Sequence, residues 1–392
     1  MLFTDILLPG AACFTLMLLI HLYWQPGDRR NERFMSCMPP RMLPFHWFGI
    51  KDFWWLYQAA KEKRWIDYIA FNHDLHGHTF GFSMLNQDII CTIEPENVKA
   101  ILATQFSEFG LGLRKKQFHP LLGEGIFTME GVCWAQVRAR LRPQFTATQV
   151  WLHSGVFNMA DVNMFADRVT EMMRSIPRDG SCFDIQKLFF KLTLNSAADF
   201  LFGESIDISN SQSSEKSTST DFQKFGEAFD LAQDYLAARS RAQGFYWLIN
   251  PKDFQDAIHV VHQVIDEYVQ RAILWTDGSS CNKNLGNRYN FLDALAADTQ
   301  DPKVLRDNVL NLLLAGRDTT ASLLSSTFYF LARHPNVWRK LRLEVLKQFG
   351  DRSKPMSEIT RDKLKDLTYL RYVVNEGEFL PVPFLSKRDV AY

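Results

Sequence analysis

From Asp301 to Pro335 the chain carries a helix start signal, a helix stop signal and, between them, a polar break in an apolar run. Asp301-Pro302 is a side-chain cap followed by proline at the first helical position. His334-Pro335 is a stop. Leu305, Val309, Leu312, Gly316, Leu323, Thr327 and Phe330 recur at spacings of mostly three and four, the period of one helical face. Together they predict one helix of about thirty residues, roughly 45 Å long at 1.5 Å per residue, enough to cross a whole domain. The break is Ala315-Gly316-Arg317-Asp318-Thr319-Thr320. Glycine costs roughly 1 kcal/mol relative to alanine inside a helix, and an acid with two hydroxyls suits an apolar core poorly. Two readings stay open on these residues. Either the helix runs through and the break does chemistry, or it ends at Asp318, which caps a second helix.

If it runs through, Gly316 lets a flat or bulky group approach the backbone. Thr319 stands four residues after Ala315, so its hydroxyl either bonds that carbonyl or leaves it free and loosens the helix. Asp318 beside it can pass protons in from solvent, the arrangement that proton delivery to a bound oxygen species requires. A second motif, Trp134-Ala-Gln-Val-Arg138, sets an indole N–H and a guanidinium at i and i+4 on one helical face. Both are donors without an acceptor and together suit an anion such as a haem propionate. The bland reading of the pair is a surface tryptophan packed under an arginine stem.

The remaining chain is helical in period around a small β part. Thr79-Phe-Gly-Phe-Ser-Met-Leu and Ile-Ile-Cys-Thr-Ile flank Asn86-Gln87-Asp88 and predict a hairpin. Glu94-Pro95-Glu96 opens a helix. Ser205–Thr220 and Thr276–Asn287 read as polar surface loops. The expected class is mainly α with a minor sheet. A formal net charge of +0 argues against a nucleic-acid partner, which leaves a basic footprint. No two of the six cysteines sit at zinc-finger or CxxC spacing, which fits a reducing compartment. Ile6 to Trp24 holds no Lys, Arg, Asp or Glu and approaches the ~20 residues that span a bilayer. Arg29, Arg30 and Arg33 follow it, so residues 1–24 are expected to be a single-pass anchor with the rest of the chain cytosolic. Residues 25–45, with Pro39, Pro40 and Pro44, read as a stiff linker.

Trp134xxxArg138 and Ala315-Gly316-Arg317-Asp318-Thr319-Thr320 resemble the signatures of the cytochrome P450 superfamily of haem-thiolate monooxygenases. The runs Leu121-Leu-Gly-Glu-Gly-Ile-Phe-Thr-Met-Glu-Gly131, Leu188–Gly203 and Ala228–Ala237 are similar to its fungal alkane and fatty-acid hydroxylase branch, over about Pro39 to Glu376. The resemblance implies the family fold over residues 46–376, haem b, an endoplasmic-reticulum anchor and electrons from an NADPH-dependent flavoprotein reductase. It implies that Trp134 and Arg138 hold haem propionates, and that Ala315 and Gly316 line the oxygen groove. Asp318 and Thr319 become the proton-relay pair, and an apolar long chain the substrate, touched by the region Phe106–Phe118.

Two departures follow. The family's Glu-x-x-Arg pair has Glu376 here, but Phe379 stands at the arginine position. No cysteine lies in a Phe-x-x-Gly-x-Arg-x-Cys run, the source of the axial thiolate. Gly377-Glu-Phe can be encoded GGT-GAG-TTT, which contains an intron donor, so residues 377–392 are expected to be translated intron. The 392 residues alone are then expected to be poorly soluble, to bind no haem and to be inactive. The competing reading is a non-catalytic, membrane-anchored remnant that binds apolar ligands.

Overall fold

A computed structural model describes residues 40–43, 50–62, 64–84, 87–145, 159–203, 218–276, 291–351, 359 and 361–379. The expected anchor, most of the linker, the centres of both polar loops and the tail from residue 380 lie outside them. Among the described residues no helix is long and apolar enough to cross a membrane. The described chain forms two compact units that divide between Phe106 and Ser107.

The first unit holds β1 (Arg41–Met42), α1 (Ile50–Lys61), α2 (Trp65–His76), β2 (Thr79–Met84), β3 (Gln87–Thr92) and α3 (Pro95–Lys99). The predicted hairpin forms: β2 and β3 are antiparallel, with Thr79 opposite Thr92 and Phe82 opposite Ile89. Gln87 and Asp88 belong to β3 rather than to the turn. β1 adds in parallel to β2. Phe80 and Phe82 alternate inward with Leu56 to make a small core, as period-two alternation requires. Pro95 opens α3 at its first position.

The second unit is helical: α4 (Arg114–Leu122), α5 (Gly131–Leu141), α6 (Met159–Arg174), α7 (Ile185–Phe202), α8 (Thr218–Arg241), α9 (Lys252–Thr276), α10 (Phe291–Ala296), α11 (Pro302–Arg333), α12 (Pro335–Phe349), α13 (Arg361–Lys365) and α14 (Thr368–Phe379). Thr218–Thr220, the last three residues of the predicted Ser205–Thr220 loop, are the first turn of α8.

α11 settles the open question. It is one helix of 32 residues, and the polar break does not interrupt it. The Asp301 carboxylate caps it by accepting from Lys303 N and Val304 N at 2.9 and 3.4 Å. Pro335 ends its reach and starts α12. It packs along α7, α9 and α14. Leu305, Val309, Leu313 and Ala321 are fully buried at four- and eight-residue steps. Burying a Val or Leu side chain stabilises by about 1.5–3 kcal/mol, which outweighs the glycine. Of the predicted series, Leu305, Val309 and Thr327 are buried and Leu312, Leu323 and Phe330 half-buried, Leu312 packing against the core beside the fully buried Leu313; only Gly316 is exposed.

Candidate active site

The break distributes its residues over several faces of α11, because successive side chains turn by about 100°. Ala315, Gly316 and Thr320 line an apolar cleft of about 560 Å³ between α6, α7 and α11, with Phe165, Ala197 and Phe200 opposite. A Cβ added at Gly316 would meet only the Ala197 Cβ, at 3.9 Å. The backbone is therefore open there to a bulky group. Thr319 Oγ1 donates to Ala315 O at 2.7 Å, which decides between its two predicted options. Asp318, Thr319, Trp134 and Arg138 are not among the described residues that line this cleft.

Asp318 turns toward α8. Burial pushes its carboxyl above the ordinary aspartate range; the Arg317 cation opposes this, the Asp230 charge adds to it, and a hydrogen bond from Gln233 opposes it. Arg317, only 3% exposed, occupies the inward position between Leu313 and Ala321. Its Nη1 donates to Asp230 Oδ1 at 2.5 Å and lies 3.6 Å from Asp318 Oδ1. Its guanidinium lies over Phe190 and Phe229, at 5.2 and 5.5 Å from the ring centroids. Sequence reasoning missed Arg317, although the series Leu305, Val309, Leu313, Ala321 places position 317 inward.

Trp134 and Arg138 share a face of α5. The Arg138 guanidinium lies 5.4 Å from the indole centroid, with Trp134 half-buried and Arg138 exposed. The stacked geometry is that of the bland reading. It is also compatible with an anion site, because the fork of N–H donors remains at the surface, and among the described residues no carboxylate pairs with it. An exposed cation over an aromatic ring suits propionate carboxylates, and the bare backbone at Gly316 suits the face of a macrocycle. Each feature taken singly has the chemistry that the edge or the face of a haem requires, while the cleft at Gly316 is lined by neither Trp134 nor Arg138. The described cysteines are Cys91, half-buried, and the exposed Cys133 and Cys182; none stands in a thiolate loop.

A polar clamp lies under the same helix. Asp307 Oδ2 accepts Glu124 N–H at 2.8 Å. Asn311 Oδ1 accepts Phe127 N–H at 3.1 Å, and Asn311 Nδ2 donates to Leu122 O at 2.9 Å. These two residues, one turn apart, hold the Gly123–Thr128 turn that leads into α5. Gly123 has φ +56°, and a Cβ there would stand 2.1 Å from the Asp307 carboxyl. The clamp ties the segment carrying Trp134 to the helix carrying Asp318. Its signal in the sequence was the Gly123-x-Gly125 spacing together with Asp307 and Asn311, one turn apart on α11.

A family model described as Cytochrome P450 matches residues 40–377. Cytochrome P450 52A12 of Debaryomyces hansenii is 42% identical over 349 residues, 87% of this chain and 65% of that protein. Cytochrome P450 52A5 of Candida maltosa is 44% identical over 356 residues, 88% of this chain and 65% of that protein. Cytochrome P450 52A6 of Candida tropicalis is 40% identical over 346 residues, 86% and 64% respectively. The chain thus spans slightly less than two thirds of the length of these relatives.

Proposed function

This chain belongs to the cytochrome P450 family, and on that premise we propose that it is the larger part of a monooxygenase that hydroxylates long-chain alkanes or fatty acids. Haem, when bound, supplies the oxygen activation. The chain's own residues do the rest. Arg138 and Trp134 donate to the propionates. Ala315 and Gly316 leave room at the helix backbone. Asp318 would hold a proton drawn from solvent, and the Thr319 hydroxyl, its own hydrogen engaged by Ala315 O, keeps lone pairs free to accept a hydrogen bond and so to orient the proton's path. The observation that supports this reading most is Asp318, a half-buried carboxyl held above its ordinary range next to that threonine on an uninterrupted helix.

Electrons come, in this reading, from an NADPH-dependent flavoprotein reductase. The charge-free run Ile6–Trp24 followed by Arg29, Arg30 and Arg33 supports an anchor in the endoplasmic-reticulum membrane. The apolar lining of the cleft suits an apolar long chain.

For these 392 residues alone one sequence observation favours the second reading, a protein that binds apolar ligands without turnover: no cysteine stands in a thiolate run. The test is a chimera joining residues 1–376 to the carboxy-terminal portion of the Candida maltosa 52A5 relative. With reductase, NADPH and a long-chain fatty acid, the chimera is expected to yield hydroxylated product. Asp318→Asn is expected to slow it about 10²-fold, the scale of general acid–base catalysis. Equal rates with and without Asp318 would remove its assigned role, and a haem-loaded chimera without product would remove the substrate class.

A further inference from the structure

We propose that Asp230, on α8, is a positioning residue for the notch: it holds the Arg317 guanidinium on its own side and so keeps it from closing onto Asp318. The proposal rests on the reading of Asp318 as the proton-carrying acid, and it names what keeps that acid fit for the role.

The geometry gives Arg317 two carboxylates to choose from. Nη1 is 2.5 Å from Asp230 Oδ1 and 3.6 Å from Asp318 Oδ1. The second of these oxygens is buried without a hydrogen-bond partner, and so is Arg317 Nε. An atom-scale shift of the guanidinium would satisfy Asp318 and abandon Asp230. Phe190 on α7 and Phe229 on α8 lie against the guanidinium and limit it to motion between the two acids. Gln233, one turn beyond Asp230, hydrogen-bonds to the Asp318 carboxyl, so α8 approaches the notch with two polar residues of one face.

Charge counting points the same way. One buried cation can neutralise one carboxylate. The Asp230 side chain is 58% exposed and the Asp318 side chain 31%. Water stabilises Asp230 as an ion more cheaply, and a buried cation beside it completes the pair. Asp318, left outside the pair in a drier setting, is the acid whose neutral form burial favours. Among the described residues the charged and polar groups acting on Asp318 are Arg317, Asp230 and Gln233. Because Asp230 and Gln233 both belong to α8, any displacement of α8 against α11 reassigns Arg317 and changes the charge of the notch.

The test is an NMR titration of the full chain in detergent, labelled with ¹³C at aspartate carboxyls. The Asp318 resonance is assigned by its loss in Asp318→Asn. In the unsubstituted chain it is expected to titrate above the ordinary aspartate value of about 3.9. Asp230→Asn, isosteric and at a largely exposed side chain, is expected to lower that midpoint by about one pH unit or more as Arg317 swings across. Asp230→Glu is expected to restore it. With Arg317→Gln already in place, Asp230→Asn is expected to shift it much less. An unmoved midpoint in Asp230→Asn overturns the proposal. So does an equal shift with Arg317 absent, which would make Asp230 a bystander charge. Circular dichroism checks the fold, and Asp230→Ser serves as the second variant should Asp230→Asn unfold. The titration uses neither haem nor turnover, so its failure and the failure of the hydroxylation assay are separate results.

Discussion

Asn311 and Phe127 stand 184 residues apart in the chain, and the side-chain oxygen of the first accepts the backbone N–H of the second at 3.1 Å. The Asn311 amide also donates to Leu122 O and to Asp307 O at 2.7 Å. Fully buried, Asn311 satisfies one backbone N–H of the turn, at Phe127, and the C=O of Leu122 at the end of α4. Asn311→Leu keeps the volume and strands both. Leaving buried polar groups unpaired costs about 1–3 kcal/mol, so urea unfolding is expected to show a loss of about 2–3 kcal/mol. A loss under about 0.5 kcal/mol, typical of an indifferent site, would mean the turn does not depend on this clamp.

Gly123 and Gly180 separate two reasons for glycine. Both have positive φ, +56° and +79°, but a Cβ at Gly180 meets nothing within 4 Å, whereas one at Gly123 meets the Asp307 carboxyl. Gly180→Ala is expected to cost only the left-handed conformation, about 1 kcal/mol. Gly123→Ala adds overpacking, typically 1–3 kcal/mol, and is expected to be the more damaging by that margin in thermal unfolding. Equal losses would show that the Asp307 contact is unimportant.

The long helix was legible because its cap, its proline stop and its apolar period are local signals. The hairpin was legible for the same reason. The burial at the polar break was not, since the apolar series passes through Gly316, which is exposed, while its neighbour Arg317 is buried. Tertiary pairing decided it: the buried Arg317 finds Asp230, 87 residues away, and no spacing rule reaches that far. The clamp of Asp307 and Asn311 was hidden likewise, its partners being backbone amides of a distant turn. The residue types at 134, 138, 318 and 319 were readable, but not that Asp318 faces α8 while Gly316 faces the cleft.

Burial also writes a pH dependence into the fold. It raises the Asp307 carboxyl. An acid raised in the folded state adds stability that is fully present below its unfolded pKa, about 3.9, and is lost as pH rises through the folded value. The stability of the unsubstituted chain relative to Asp307→Asn is therefore expected to fall as pH climbs from about 4, then to level off. His262, lowered by burial and bonded through Nε2 to Leu121 O at 2.9 Å, acts in the opposite sense. Its contribution is present above its unfolded pKa of about 6.5 and is lost as pH falls through the folded value. Chemical denaturation across this pH range checks both, and a slope of opposite sign for either group would contradict its assignment.

Arg317 and Asp230 give an asymmetric pair of substitutions. Asp230→Ala removes the main counter-charge of a buried cation and leaves it only the more distant Asp318 to turn to, so it is expected to cost about 1–3 kcal/mol. Arg317→Met removes the cation and keeps apolar volume between Phe190 and Phe229, so it is expected to cost less, since apolar replacements of buried ions are often neutral. Urea unfolding of the two variants checks the order, and the reverse order would show that the pair stabilises by more than it costs to desolvate.

The most direct measurement is the carbon monoxide difference spectrum of the reduced protein, recorded for the 392-residue chain and for the chimera completed from the Candida maltosa relative. The account predicts a thiolate-type haem band in the chimera, weakened by Arg138→Ala, and none in the 392 residues alone. A folded chimera without the band, or the band in the 392-residue chain, would contradict it.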